Sequence, residues 1–210
     1  MKSGLGVRPL ILPCFYRCQS FKIGVMNVLL HICCAPCAIH PVETLRASGH
    51  RVTGFFFNHN IHPYQEYRKR LEALQRYAEI ADLPVIWRDE YLLEEFLAAV
   101  APAPGERCCY CYASRLERTA REASASGYEA FTSTLLYSRY QRHEVIREEG
   151  GRIAELFRVR FLYEDFRPGW RHGIDVSRQL GLYRQQYCGC IYSEKDRYAP
   201  PASGNPGDAP

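Results

Sequence analysis

The chain has 210 residues, of which 47% are hydrophobic and 24% are charged, and this composition predicts one soluble globular domain with short appendages. No stretch approaches the ~18 to 20 uninterrupted apolar residues that a membrane span needs, and the disordered and fibrous classes are excluded. The net charge of +4 equals the four basic residues of segment 1–26, which has no acidic residue, so a globally basic nucleic-acid-binding protein is not indicated.

The two ends of the chain differ in composition from its middle. The apolar run at residues 9–15 is broken by Pro13 and lacks a small-residue cleavage site, so we do not interpret it as a secretory signal. We expect Met26 to be the native start and segment 1–26 to be an extension. Residues 199–210 are rich in Pro, Gly, Ala and Asp and are predicted to be a disordered tail. A single domain is therefore predicted over residues 27–198.

In the first half of this domain, apolar and β-branched runs predict strands at residues 27–32, 51–57 and 84–87. A helix is predicted to start at Pro36 and to stop at Gly49. Apolar residues at spacings of three and four predict a long amphipathic helix over residues 64–81, which follows a polar loop at residues 58–63.

The second half continues the alternation of helices and strands. A fourth strand is predicted over residues 129–136, and a short apolar run covers residues 157–163. Alternating strands and helices indicate an α/β fold, in which a parallel sheet has helices on both faces and functional residues collect at the carboxyl ends of the strands. Helices are predicted over residues 92–100, from the cysteines near 108 to Gly127, over residues 141–149 before Gly150-Gly151, and around residues 174–180.

Ten cysteines are the most informative feature of the composition. Ten cysteines in 210 residues are a smaller fraction than the ~8 to 10% that marks a small secreted disulfide scaffold. They are also clustered at short spacings. Such clusters, in a chain without a convincing secretory signal, indicate metal binding or redox chemistry in a reducing cytoplasm. The clusters are Cys14 and Cys18; Cys33, Cys34 and Cys37; Cys108, Cys109 and Cys111; and Cys188 and Cys190.

Two of these clusters have the spacing of metal ligands. Cys108 and Cys111 form a C-x-x-C pair at the start of a predicted helix, and Cys33 and Cys34 directly follow the first predicted strand. Together they offer four thiolates, which could hold either zinc or an iron–sulfur cluster, and the ligand count does not decide between them. Adjacent cysteines point in opposite directions in an extended chain, so Cys33 and Cys34 can share a site only where the loop bends sharply.

Cys188-Gly189-Cys190 has a different spacing. A disulfide across one residue closes a small, strained ring, and strained disulfides are easily reduced, so this pair favours an electron-relaying dithiol over a structural staple. The alternative is that both thiols are further metal ligands. Cys109 is predicted to point away from its neighbours' site, and no role is assigned to Cys14 or Cys18.

The loops after the first two strands are rich in histidine. The loop at residues 58–63 should lie at the same sheet edge as Cys33 and is a candidate pocket wall. Each histidine alone is more often a structural residue than a metal ligand or proton donor. The histidines concerned are His31, His40, His59 and His62.

The separated motifs of this chain, taken in order over residues 27–193, closely resemble those of the QueH family of epoxyqueuosine reductases. The motifs are Leu29-Leu30-His31-Ile32-Cys33-Cys34-Ala35-Pro36-Cys37, Asn58-x-Asn60-Ile61-x-Pro63 with Glu66-Tyr67-x-x-Arg70, Arg107-Cys108-x-x-Cys111-Tyr112-x-x-Arg115-Leu116, Thr134-Leu135-Leu136, Asp165-Phe166-Arg167-Pro168-Gly169 and Tyr187-Cys188-Gly189-Cys190.

The resemblance implies a fold related to the adenine-nucleotide α-hydrolases, with residues 27–198 as the catalytic domain. It implies the cobalamin-independent reduction of epoxyqueuosine to queuosine at the wobble position of tRNA. By the same resemblance Cys33, Cys34, Cys108 and Cys111 would ligate a 4Fe-4S cluster, Cys188 and Cys190 would form a redox-active disulfide, and Cys37 is the candidate ligand for a second iron.

The implied reaction agrees with the residues present. Removing the epoxide oxygen as water takes two electrons and two protons. An iron–sulfur cluster transfers electrons one at a time and a dithiol transfers them as a pair, so the two together can bridge this difference. An open metal could act as a Lewis acid on the epoxide oxygen. The expected partners are a tRNA anticodon loop and an unidentified electron donor, in the cytoplasm and with no membrane. The candidate RNA contacts after the fourth strand are Tyr137, Arg139, Tyr140 and Arg142, and the alternative is that this segment is an ordinary solvated loop.

Two other functions compete with this one. In the first, zinc holds the same thiolates structurally and the sheet edge binds RNA without redox chemistry. In the second, Cys188 and Cys190 form a thiol–disulfide oxidoreductase for protein substrates, which would turn over without any metal.

Overall fold

The computed structural model describes residues 24–200, in which five β-strands alternate with seven α-helices. The expectations about Cys14, Cys18, most of the extension and the last ten residues lie outside the described residues. In chain order the elements are β1 (Asn27–His31), α1 (Ala35–Ala47), β2 (Arg51–Phe56), α2 (Tyr64–Ile80), β3 (Val85–Trp87), α3 (Leu93–Val100), α4 (Arg107–Ala125), β4 (Ala130–Ser133), α5 (His143–Phe157), β5 (Arg160–Phe161), α6 (Trp170–Gln179) and α7 (Ile191–Tyr198).

The five strands form one parallel sheet in the order β3-β2-β1-β4-β5. The central strand β1 is apolar and its residues Val28, Leu29 and Leu30 are fully buried, as expected for a strand that is covered on both faces. The helices pack in two groups, α4 with α5 and α1 with α2 and α6. The predicted α/β fold with a parallel sheet in a single domain is confirmed.

The strand order reverses between β1 and β4. The chain runs outward from β1 through β2 to β3, and then returns to the other side of β1 to form β4 and β5. In open α/β sheets a crevice opens at this point, beyond the carboxyl ends of the two strands, and ligands bind there. Cys33 and Cys34 follow β1, and Thr134 follows β4, so these residues lie at the crevice.

The predicted helix after the first cysteines is confirmed. Strand β1 ends at His31 and helix α1 begins at Ala35, so only three residues make the turn between them. Pro36 lies in the first turn of α1, where its missing N–H costs nothing. The helix is followed by Gly49, whose φ of 86° is in the left-handed region that glycine adopts without strain.

Two predicted boundaries are wrong. Strand β4 stops at Ser133, because the side chain of Ser133 accepts a hydrogen bond from the amide of Leu135 and starts a 3₁₀ turn over Thr134–Tyr137. Helix α5 does not end at residue 149 but continues through Gly150. A Cβ at Gly150 would lie 2.3 Å from the ring of Phe161, so this glycine permits close packing and is not a helix stop.

The C-terminal region contains more helix than the sequence predicted. Helix α6 begins four residues before the predicted start at Ile174, and helix α7 was not predicted. Helix α7 follows Cys190 directly, and the Cys190 Sγ accepts a hydrogen bond of 3.4 Å from the amide of Ser193. None of the helices within residues 24–200 combines the length and apolarity that crossing a membrane requires.

Candidate active site

Loops from three strands meet at the carboxyl edge of the sheet. The amide of Cys33, after β1, donates to the Thr134 Oγ1 after β4 over 3.2 Å. The side-chain amide of Asn58, after β2, donates to the Ile32 carbonyl over 2.9 Å. The prediction that the loop at residues 58–63 lies at the same edge as Cys33 is therefore confirmed.

Three thiols form a compact group at this edge. The Sγ atoms of Cys33, Cys34 and Cys37 all lie within 4.8 Å of one another, and those of Cys33 and Cys34 are 3.8 Å apart. The short turn between β1 and α1 supplies the sharp bend that two adjacent cysteines need, and Cys37 joins them from the first turn of α1. Sulfur ligands suit zinc, copper(I) and iron–sulfur centres, so these residues fit a thiophilic metal.

The three thiols share negative charge unequally. Hydrogen bonds with the thiols of Cys34 and Cys37 hold the pKa of Cys33 well below its usual range. Burial raises the pKa of Cys34, and the hydrogen bonds to Cys33 and Cys34 raise that of Cys37. Negative charge in this group is therefore favoured on Cys33, and metal binding would release the protons of the thiols that remain.

The other cysteines of the site form a second group. Cys111 and Cys190 are buried in a small apolar cluster with Phe96 and Val100. Burial raises the pKa of Cys111 to about 12, and burial followed by the charge of Cys188 raises that of Cys108. The C-x-x-C pair of α4 thus lies beside Cys188 and Cys190.

The compact thiol group contains only part of the predicted cluster site. Among the described residues, Cys33, Cys34 and Cys37 are the group close enough to hold one metal ion, and Cys108 and Cys111 are not part of it. A four-iron cluster is larger than one ion and its ligands can be more widely spaced. The set of Cys33, Cys34, Cys108 and Cys111 remains a prediction.

Arg115 on α4 provides a buried counter-charge for the thiols. Its guanidinium donates to the Cys111 carbonyl over 3.0 Å and to the Cys111 Sγ over 2.9 Å. Burial lowers the pKa of Arg115, but its electrostatic interactions with the sulfur atoms of Cys111, Cys188 and Cys33 outweigh burial and raise it. The charged Arg115 therefore favours thiolate in both groups. The sequence pattern contains this residue but gave no sign of its contacts.

Cys188 and Cys190 are both free thiols in different environments. Cys188 is exposed and its Sγ accepts a hydrogen bond of 3.2 Å from the side chain of Gln141. Cys190 is buried. Gly189 between them has a φ of 151°, which suits glycine and turns the two side chains into these different surroundings. One thiol of the pair thus faces solvent and the other faces the protein.

A buried arginine on α2 holds the loop that carries this pair. The Arg70 guanidinium donates to the Cys188 carbonyl over 2.8 Å, to the Tyr187 carbonyl over 3.0 Å and to the Glu66 carboxylate over 2.7 Å. The side chains of Arg70 and Glu66 are only 1% and 7% exposed. The hydroxyl of Tyr183 donates to the same carboxylate. Arg70 therefore holds two carbonyl groups of the Cys188 loop, while Glu66 neutralises its charge.

The histidines around the site are neutral and mostly structural. His31 is buried, with its ring nitrogens 2.8 Å from the Ser133 hydroxyl and 3.1 Å from the Phe57 carbonyl, and burial lowers its pKa to about 3. Burial likewise lowers the pKa of His59 to about 3 and that of His62 to about 4. His40 is half-buried, and its Nε2 lies 3.3 Å from the Thr44 hydroxyl. None of the four lies in the compact thiol group.

The candidate RNA contacts after β4 divide into two kinds. Tyr137 is buried, and its hydroxyl donates to the Trp170 carbonyl, so it cannot contact a nucleic acid. Arg139, Tyr140 and Arg142 are exposed. The spare thiol Cys109 is also exposed and accepts a hydrogen bond of 2.6 Å from Arg142.

The sheet and its two thiol groups define an α/β protein with a cysteine-rich, metal-competent site at the switch point of a parallel sheet. The model of the family described as epoxyqueuosine reductase QueH matches residues 28–196. The chain belongs to this family, as the motifs predicted.

Curated relatives carry the same description. The epoxyqueuosine reductase QueH of Dehalococcoides mccartyi is 36% identical over 177 residues, which cover 84% of this chain and 97% of the relative. The one of Thermotoga maritima is 38% identical over 181 residues, or 81% of this chain and 92% of the relative. That of Haemophilus influenzae is 36% identical over 181 residues, or 82% of this chain and 74% of the relative.

Proposed function

We propose that this protein is an oxidoreductase of queuosine biosynthesis, which reduces epoxyqueuosine to queuosine at the wobble position of tRNA without cobalamin. The family and its curated relatives are described as epoxyqueuosine reductases, which supports the substrate and the reaction. The observation that carries the proposal is the compact group of Cys33, Cys34 and Cys37 at the switch-point edge of the sheet, which shares a buried counter-charge with the second group. That counter-charge is Arg115, whose guanidinium donates to the Cys111 Sγ and whose pKa is raised by the charges of both Cys188 and Cys33. We propose that the reaction takes place in the cytoplasm, and the free cysteines of residues 24–200 support a reducing compartment.

Cys188 and Cys190 are the proposed redox pair, and their reaction balances. The two thiols lose two electrons and two protons and form one disulfide. The epoxide gains the two electrons as both of its C–O bonds break and an alkene forms, and its oxygen leaves with the two protons as water. A separate electron donor, which is not identified, must then reduce the disulfide.

Four thiolates are proposed to hold a 4Fe-4S cluster: Cys33, Cys34, Cys108 and Cys111. Cys37 is proposed to bind a second iron. When bound, these groups would supply single-electron transfer and a Lewis acid for the epoxide oxygen. The chain itself contributes the positive charge of Arg115, which favours the thiolate form of the ligands, and the Thr134 hydroxyl, which lies 3.4 Å from the Cys33 Sγ.

Anaerobic purification with quantitation of iron, sulfide and zinc tests the cofactor. The protein is then incubated with epoxyqueuosine-containing tRNA and a chemical reductant, and nucleosides are measured by mass spectrometry. We expect iron, sulfide and conversion to queuosine. Cys108→Ala should lose cluster and activity, whereas Cys188→Ala should lose activity and keep iron. Cys109→Ser is the matched control and should keep both, because this exposed thiol belongs to neither group.

Two results would overturn the proposal in favour of the other functions. Zinc without sulfide, together with an intact epoxide, would indicate a structural metal in an RNA-binding module. Full activity of metal-free protein on a disulfide-bonded protein substrate would indicate a thiol–disulfide oxidoreductase.

A further inference from the structure

Two loops form the surface around the exposed thiol of Cys188. One follows the 3₁₀ turn after β4 and comprises residues 138–142, and the other comprises residues 181–190 and carries Cys188 itself. They meet where the side chain of Gln141 donates to the Cys188 Sγ over 3.2 Å, while its carbonyl oxygen accepts from the Tyr112 hydroxyl over 2.6 Å. We name these two loops the entrance surface.

The most exposed aromatic side chain of the described residues lies on the entrance surface. Tyr140 is 85% exposed, compared with 53% for Tyr64 and 55% for Tyr198. The ring of Tyr64 packs edge-on against Tyr91, and the ring of Tyr198 packs edge-on against Tyr187. Within residues 24–200 no such pair is formed by Tyr140. Isolated exposed aromatic residues are common on proteins, and what distinguishes Tyr140 is its position, one residue from the Gln141 contact to Cys188.

The charge of the entrance surface is positive. Its two loops contain Arg139, Arg142 and Arg184 and no acidic residue. None of these three arginines pairs with a carboxylate in the part of the chain that the structure describes. The Arg139 guanidinium lies 5.0 Å from the centre of the Trp170 ring, which orients its flat face.

This combination suits an unpaired segment of RNA. Single-stranded nucleotides are bound by stacking their bases on aromatic rings and guanidinium planes, while arginines contact the phosphates. An exposed ring with no partner of its own offers a free face to a base. Three uncompensated arginines attract a polyanion, and no carboxylate in these loops opposes it.

We propose that Tyr140 stacks on a base of the anticodon loop beside the modified nucleotide, and that Arg139 and Arg142 bind the flanking phosphates. This inference rests on the proposed function for the identity of the RNA. Stacking next to Gln141 would hold the neighbouring nucleotide at the rim, so that the modified base can turn inward toward Cys188. Tyr140 is therefore a substrate-positioning residue and takes no part in the chemistry.

The test compares variants of the iron-loaded protein under anaerobic conditions. The probe is a fluorescein-labelled anticodon stem–loop with guanosine at the wobble position, and its binding is followed by anisotropy. Base–aromatic stacking is worth ~1–3 kcal/mol, so Tyr140→Leu should weaken binding roughly 5- to 150-fold. Tyr140→Phe, which keeps the ring, should bind within about threefold of the wild type.

The charge contacts have a separate readout. Arg142→Gln should lower the slope of log affinity against log salt by about 0.7, the value for one phosphate contact to a single strand. Arg51→Gln is the control, because Arg51 is exposed at the opposite, amino-terminal edge of the sheet and should leave the slope unchanged. Tyr140→Leu should leave that slope unchanged too, since it removes no charge.

Turnover separates positioning from chemistry. With epoxyqueuosine-containing tRNA, Tyr140→Leu should raise KM and leave kcat and iron content at the wild-type values. Equal affinity of wild type and Tyr140→Leu would overturn the inference, as would an equal loss for Tyr140→Phe. Wild-type protein that shows Tyr140-dependent binding and no reduction would refute the proposed reductase and leave this surface standing. Reduction of epoxyqueuosine, together with binding that does not depend on Tyr140, would support the proposed reductase and refute the role of Tyr140.

Discussion

Replacing Arg70 should destabilise this fold strongly without creating a cavity. In Arg70→Met an apolar side chain of similar length takes the place of the guanidinium. The change leaves the Glu66 carboxylate, which is 7% exposed, with only the Tyr183 hydroxyl as a partner. It also removes the donors of the Tyr187 and Cys188 carbonyls.

The magnitude follows from which groups can recover a partner. Breaking a buried ion pair by removing one partner costs about 3–5 kcal/mol. Cys188 is exposed and Tyr187 is partly exposed, so their carbonyls can turn to water and add little. We expect Arg70→Met to lower the free energy of unfolding by about 3–5 kcal/mol. Arg70→Lys keeps the charge but cannot reach all three acceptors, so its cost should be smaller, about 1–3 kcal/mol.

Urea-induced unfolding of metal-free, reduced protein, followed by circular dichroism, measures these changes. Arg68→Met on the same helix is the matched control, because Arg68 forms exposed ion pairs worth less than about 1 kcal/mol. In the double variant Glu66→Leu/Arg70→Met no charge is left buried, and most of the stability should return. A loss below about 1 kcal/mol in Arg70→Met, or a double variant no more stable than the single one, would refute this account of the ion pair.

Three further predictions use other features of the molecule. Gly150→Ala should destabilise the protein by about 1–3 kcal/mol, because its Cβ would collide with the Phe161 ring. Gly151→Ala, whose Cβ would meet no atom within 4 Å, should stabilise the protein by about 0.5–1 kcal/mol in the same urea assay. Equal effects of the two substitutions would contradict this packing. Burial lowers the pKa of His59 to about 3, so below pH 6.5 only the unfolded chain binds a proton at this residue, and the free energy of unfolding should fall as the pH drops from 7 to 5. In His59→Gln this fall should be about 2 kcal/mol smaller. An unchanged fall would count against a neutral His59. Anaerobic alkylation mapped by mass spectrometry should label Cys188 well before Cys190, because the first thiol is exposed and the second is buried, and equal rates would contradict this arrangement.

Much of the fold could be predicted because its signals are local. The apolar run of β1, the prolines of α1 and the spacing of α2 each report on a few neighbouring residues. The predicted end of α5 at Gly150 was wrong because a glycine pair usually stops a helix, and here tertiary packing overrides that preference. Helix α7 was missed because its sequence is short and polar and it has no buried residue.

The site shows the same division between local and distant signals. Cysteine spacing alone predicted that Cys33 and Cys34 belong to a metal site, and the compact thiol group agrees with it. The contact of Arg70 with the Cys188 carbonyl joins residues 118 positions apart, which no local pattern reveals. Cys37 entered the sequence analysis only as the candidate ligand for a second iron, yet its Sγ lies within 4.8 Å of those of Cys33 and Cys34.

The all-parallel sheet has an electrostatic consequence for the thiols. Every helix that connects two parallel strands runs back against them, so α1 and α4 begin near the carboxyl edge and point the positive ends of their dipoles there. Cys34 precedes the first residue of α1, and Cys37, Cys108 and Cys111 lie in or next to the first turns of the two helices. The amides at these helix starts therefore favour the thiolate form of the cysteines even without a metal or an arginine nearby. Sulfur ligands on a two-stranded antiparallel hairpin would lack this stabilisation, because a hairpin has no helix N-terminus.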